Sequence, residues 1–180
     1  MNTESNNPLQ PGTMSNSLIQ ALINNYRQNH LNAINTALGI EDAHSIWFDL
    51  PKLKNFIANI EAEAAKANPA ASTEDLGVRF YYSAYPKEEN WSIMESHPVP
   101  IEYAGRHTIV MVPTLKKANE TGELIDYDFN PFQSAEGKSI ALNNLKTNDF
   151  SKNTGEDDDT SLGENNGILV PPKAPLGQSF

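Results

Sequence analysis

The chain contains no cysteine. That excludes disulfides, thiolate metal sites and a cysteine nucleophile, and it fits a reducing compartment. Long apolar runs are missing too: no stretch approaches the ~20 residues that cross a bilayer. Residues 1–17 have neither the basic patch nor the apolar core of a secretory signal. These absences together predict a cytoplasmic protein with no membrane contact. Basic charge is scarce, with 13 Lys and Arg against 23 Asp and Glu, for a net charge of −10. Residues 120–180 alone carry a net −7. A chain so acidic is repelled by phosphate backbones and anionic lipid surfaces, which argues against nucleic-acid and membrane partners. The short signatures of nucleotide binding and acyl transfer are absent, with no G-x-G-x-x-G, P-loop or G-x-S-x-G. The four histidines, His30, His44, His97 and His107, form no i,i+4 pair and no H-E-x-x-H. Neither a metal nor a cofactor is expected.

What is present divides the chain into regions. Only 38% of residues are hydrophobic, below the usual globular level, so part of the chain is expected outside the core. Residues 1–14 read as a disordered leader, 15–132 as an α+β domain, 133–167 as a flexible acidic linker, and 168–180 as an apolar, proline-rich segment. Within the domain, Leu18, Ile19, Leu22, Ile23, Tyr26, His30 and Ile34 recur at helical spacing after Ser15 or Ser17 as cap, and Gly39 ends the stripe. A second helix starts at the N-cap Asp49 with Pro51 in its first turn, and Asn68-Pro69 stops it. Its buried face is predicted to be Leu50, Leu53, Phe56, Ile57, Ile60 and Ala64.

The period then changes to two. Val78, Phe80, Tyr82 and Ala84 alternate with Arg79, Tyr81, Ser83 and Tyr85, and the first row is expected to face the core, with Phe80 buried. A second strand runs from about His107 to Val112 and is expected to stop at Pro113. A third runs from Leu124 to Asp128. Residues 86–105 form a long loop with room for a short strand at Val99–Tyr103. Helices first and strands later argue for two helices packed on a small, mainly antiparallel sheet of three or four strands, not for a βαβ fold.

The runs Trp47-Phe48-Asp49-Leu50-Pro51, Gly77 to Tyr85, and His107 to Thr114, with a late Asn166-Gly167-Ile168-Leu169-Val170-Pro171-Pro172, resemble a group of small uncharacterised proteins of Bacteroidota bacteria. The likeness covers about residues 45–130 and the C-terminal run. The group has no assigned activity, so the resemblance transfers no functional residue.

Two constellations carry the functional reading. Arg79, Tyr81, Ser83 and Tyr85 share one strand face, where an arginine beside tyrosines can clamp a carboxylate or phosphate. His107 joins them if the strands pair, and Trp91 can fold over from the long loop. No nucleophile–base pair accompanies them, and the structural alternative is that the tyrosines cover the sheet and Arg79 pairs with a surface carboxylate. The second constellation is Ile168, Leu169, Val170, Pro171 and Pro172, an apolar run leading into a P-x-x-P on an expected polyproline II segment. It suits docking to a protein partner or to the protein's own sheet edge, the alternative being an inert tail. Asp126-Tyr127-Asp128-Phe129-Asn130 opens like a calcium loop but has Pro131 and Gly137 where that loop needs glycine and glutamate. Its polar groups are therefore expected on the wet face of an edge strand, and Glu156 to Asp159 read as a solvated acidic linker. The preferred function is a non-enzymatic protein-interaction module. The alternative is a small-molecule-binding protein or small enzyme with its site on the Arg79–Tyr85 face.

Overall fold

The computed structural model describes residues 11–130, 132 and 161–173. The polar leader up to residue 10, the acidic stretch 133–160 and the chain end from residue 174 lie outside the described residues. The fold is α+β, with a three-stranded and a two-stranded sheet. The chain divides into two compact units, one from residues up to Ser45 together with those from Leu169 onward, the other from Ile46 to Ile168.

In the first unit, α1 (Asn16–Asn25) passes through a π-helical stretch, Tyr26–Leu31, into α2 (Asn32–Leu38). Ser15 caps the start by accepting from the Leu18 N–H at 3.2 Å. Gly39 ends the run at φ 66°, a left-handed conformation that glycine adopts without a Cβ penalty. In the π stretch the rings of Tyr26 and His30 stack at 6.0 Å. No residue from Asn16 to Leu38 is fully buried, and Leu18 and Leu22 of the expected inward stripe are about half exposed. Asp42 and Ala43 are buried beyond it, and the Asp42 N–H donates to Asn35 Oδ1 at 2.9 Å.

The second unit is built on α3 (Leu50–Ala67). Asp49 accepts from the Lys52 N–H at 2.7 Å, a cap worth about 1 kcal/mol, and proline occupies the first turn. Of the predicted buried face, Phe56, Ile60 and Ala64 are buried, whereas Leu50 and Ile57 are 62% and 50% exposed. The buried contact is narrower than the apolar stripe: the i, i+4, i+8 row from Phe56 is buried, Leu53 packs beside it, and Leu50 and Ile57 stay outside.

That sheet runs β2 (Leu76–Ala84), β3 (His107–Ala118), β4 (Leu124–Asp128) in spatial order, with both pairings antiparallel. Phe56, Ile60 and Met111 form its core with Phe48, Leu53, Leu76, Val78 and Leu162, and Ala64, Leu115 and Phe129 continue that core. β3 runs through Pro113 instead of stopping there. The Pro113 carbonyl accepts from the Phe129 N–H at 2.9 Å on the β4 side. In an antiparallel strand a residue's N–H and C=O point the same way. The missing N–H therefore falls at the end of the β3–β4 ladder, where it costs little. Beyond that point residues 161–167, read above as the end of the linker, lie along β3. Met111 and Glu164 exchange both backbone hydrogen bonds, at 2.9 and 3.1 Å.

β1 (Ser45–Trp47) and β5 (Ile168–Val170) form the two-stranded sheet. The loop from 86 to 106 contains 3₁₀ turns at Glu88–Met94 and Ile101–Tyr103, so the strand considered at Val99–Tyr103 is a helical turn.

Candidate functional site

The β2–β3 register decides what the Arg79 face can assemble. Arg79 lies opposite Val112, Tyr81 opposite Val110 and Ser83 opposite Thr108, all on one face. His107 lies opposite Ala84, in the other set of rows. Alternation therefore puts His107 on the opposite face, and the expectation that it joins Arg79 is corrected. The partner that does arrive is Asp128, from β4. Arg79 Nη1 donates to Asp128 Oδ1 at 2.5 Å, Arg79 Nη2 to the Asp126 carbonyl at 2.8 Å, and the Tyr81 hydroxyl to Asp128 Oδ2. The Asp128 side chain is only 9% exposed. It does not sit on the wet face expected for it, because Arg79 and Tyr81, two strands away, each take one of its carboxylate oxygens. Asn130 is likewise buried, its Oδ1 accepting from the Phe132 N–H at 3.1 Å.

Tyr85 stands apart from that cluster. It is buried, packs against Trp91 at 6.2 Å and Tyr103 at 5.7 Å, and donates its hydroxyl to the Asn165 carbonyl at 3.1 Å. Trp91 thus does fold over from the long loop, onto Tyr85. Burial pushes the Tyr85 phenol above its ordinary value. Because the folded-state pKa is the higher one, the stabilisation is complete below the unfolded phenol's ~10 and is lost as pH rises through the folded value. Stability should therefore fall steeply above about pH 10, and Tyr85→Phe should flatten that limb in urea melts across the alkaline range. An unchanged limb would mean that Tyr85 is not the group responsible.

A groove of about 370 Å³ opens beside the start of α3, lined by Lys52, Asn55, Phe56, Asn59, Leu162 and Glu164 among others. Its charged liners already serve the protein: Lys52 Nζ donates to the Asn166 carbonyl at 2.8 Å, and Glu164 Oε1 accepts from the Asn166 N–H at 2.6 Å. Among the described residues no three His, Asp or Glu side chains gather as metal ligands, and no helix is long and apolar enough to cross a membrane.

The C-terminal run is also engaged. Ile168–Val170 is β5, Leu169 and Val170 are buried, and the Val170 carbonyl accepts from the His44 N–H at 2.8 Å. Pro171 and Pro172 follow in a turn closed by the Lys173 N–H on the Leu169 carbonyl at 3.2 Å, and Ala174 and Pro175 of the expected polyproline segment lie outside the described residues.

The feature that sequence reasoning placed inside lies outside. Phe80 is 57% exposed and Tyr82 is 97% exposed, so the expectation of a buried Phe80 is corrected. Leu76 and Val78 of the same row are covered by the α3 core, but the cover ends before Phe80. The row also lies on a free edge. Met111 and Pro113 direct their backbone groups away from β2, toward Glu164 and Phe129. The even-numbered residues of β3 therefore bond to β2, through Gly77, Arg79, Tyr81 and Ser83. Val78, Phe80, Tyr82 and Ala84 are left with their N–H and C=O groups directed outward, Leu76 with its C=O alone because its N–H donates to the Thr73 carbonyl, and the described residues supply no strand on that side. No known family model, curated protein or solved structure matches the chain.

Proposed function

We propose that the protein is a non-enzymatic protein-interaction module whose contact element is the outer row of β2. The observation that carries this reading is the exposure of Phe80 and Tyr82 on an edge strand of nine residues. Edge strands are usually protected by charge, proline, a bulge or brevity. The row Leu76, Val78, Phe80, Tyr82, Ala84 has no charged residue and no proline, and its register with β3 is unbroken. Two aromatic rings beside outward backbone donors and acceptors are what strand addition uses: the backbone gives affinity and the alternate side chains give selectivity. The competing ligand-clamp reading loses support because Arg79 and Tyr81 are spent on Asp128 and Asp126. The C-terminal run is not the contact element in this reading, since Leu169 and Val170 are buried.

The test is affinity capture from the native host with the tagged full chain and its Tyr82→Lys variant. The parent should enrich a defined set of proteins, counting untagged copies of itself, and the variant should lose that set while melting at the same temperature. The same set on both baits would refute the reading.

A further inference from the structure

We infer that the strand received by the β2 edge is β2 of a second copy of this chain, paired antiparallel about a twofold axis through Phe80. The inference rests on the reading of β2 as the contact element and names its partner.

The β2 edge is self-complementary. A twofold antiparallel pair of identical strands overlaps fully only when the axis passes through the strand's midpoint. The midpoint of Leu76–Ala84 is Phe80. Phe80 is also one of the residues whose N–H and C=O point outward, so the axis of greatest overlap falls on a hydrogen-bonding position. Any twofold antiparallel register sets outward residues against outward residues, and the axis through Phe80 is the one that overlaps the strand from end to end. In this register Phe80 meets its own copy, Val78 meets Tyr82 and Leu76 meets Ala84. These pairs exchange both backbone bonds except where the Leu76 N–H is already given to the Thr73 carbonyl, which leaves about eight across the interface, within the range usual for a specific complex.

The side chains agree. On the outer row, ring meets ring and ring meets a β-branched residue, pairings that stabilise adjacent strands. On the other face Arg79 would lie opposite Tyr81 of the second copy, so no like charges are directly opposed, and Arg79 is already neutralised by Asp128. Axes through Val78 or Tyr82 shorten the overlap, and the latter brings Val78 against Pro86 just past the strand. A foreign strand would satisfy the same backbone groups, but a second copy brings an equally open, uncharged row of the same length that pairs with this one from end to end.

Area sets the strength. An aromatic side chain buries roughly 150–250 Å². At 57% and 97% exposure, Phe80 and Tyr82 have roughly 300 Å² per copy to offer. Two copies supply roughly 600 Å² before the strand backbones are counted, against about 1,200 Å² at the low end of stable interfaces. The dimer should therefore dissociate in the micromolar range.

The experiment is sedimentation equilibrium of the full chain over about 1–200 µM, with Phe80→Lys, Phe80→Glu, their equimolar mixture, and Tyr82→Lys as a second exposed variant. The parent should show a monomer–dimer equilibrium. Each variant alone should dissociate at least roughly tenfold more readily, because the twofold axis sets like charges against each other or removes the ring. The Phe80→Lys and Phe80→Glu mixture should regain dimer, since this register brings those two side chains face to face. A parent that stays monomeric, Phe80 and Tyr82 variants as dimeric as the parent, or a mixture that regains nothing would each overturn the inference. A monomeric parent whose capture set is still lost on Tyr82→Lys would leave the interaction reading standing with a foreign strand as partner. Loss of both would remove the two together.

Discussion

Phe56→Ala should lower the free energy of unfolding by about 3–5 kcal/mol, while Phe80→Ala, an aromatic truncation of the same size, should cost less than about 1 kcal/mol. The contrast comes from cover. Phe56 is 5% exposed and packs with Ile60 and Met111 between α3 and the sheet. Removing its ring opens a cavity bordered by Met111, itself 1% exposed, and by partners fixed in a helix and two strands that cannot collapse into it. Phe80 is more than half in water, and its loss removes contacts on one side only. Urea melts of the two variants give the comparison directly. Equal losses would mean that α3, or some other cover, reaches Phe80 in solution.

Gly167→Ala should cost about 1–3 kcal/mol through overpacking, since Gly167 is the most crowded glycine among the described residues. Gly167 is buried where residues 161–167 leave β3 to become β5. A Cβ built there would stand 2.3 Å from Ile46 Cγ2 and 2.7 and 2.8 Å from Phe48 Cζ and Cε2. Its φ is not in the left-handed range, so the penalty is one of space and not of backbone strain. Phe48 cannot swing aside freely, because it packs against the Phe56 cluster. The double variant Gly167→Ala with Ile46→Ala removes the nearest obstacle and should recover part of the loss. Thermal unfolding of the single and double variants tests both statements. A single variant as stable as the parent would show that the chain near Gly167 shifts without cost.

The contrast between Phe56 and Phe80 also shows what the sequence made legible. Helical period and caps placed both helical regions, and Asp49, Pro51 and Gly39 act as their chemistry requires. Period two placed β2, and the third strand read over Leu124–Asp128 is β4. What alternation cannot say is which row another element covers. Both rows of β2 carry aromatics, and the choice between them depends on where α3 crosses the sheet, a tertiary fact. The same limit hid Asp128, whose role needs the β3–β4 register to bring it to Arg79, 49 residues away. It hid residues 161–167 as well. Their pairing with β3 runs through the backbone of Glu164, which leaves no mark in hydropathy. Pro113 misled for a related reason: proline stops a strand only where its N–H is needed.

The outer row of β2 should be open in the monomer and close on a partner strand. Residue-resolved amide hydrogen exchange measures this most directly. In a dilute sample the inward amides of Arg79, Tyr81 and Ser83, bonded to β3, should exchange slowly, and the outward amides of Val78, Phe80 and Tyr82 should exchange fast. Raising the concentration, or adding a captured partner, should slow the outward set selectively. Outward amides as protected as the inward ones at the lowest concentration would show that the edge is already covered within the single chain, and would contradict the account.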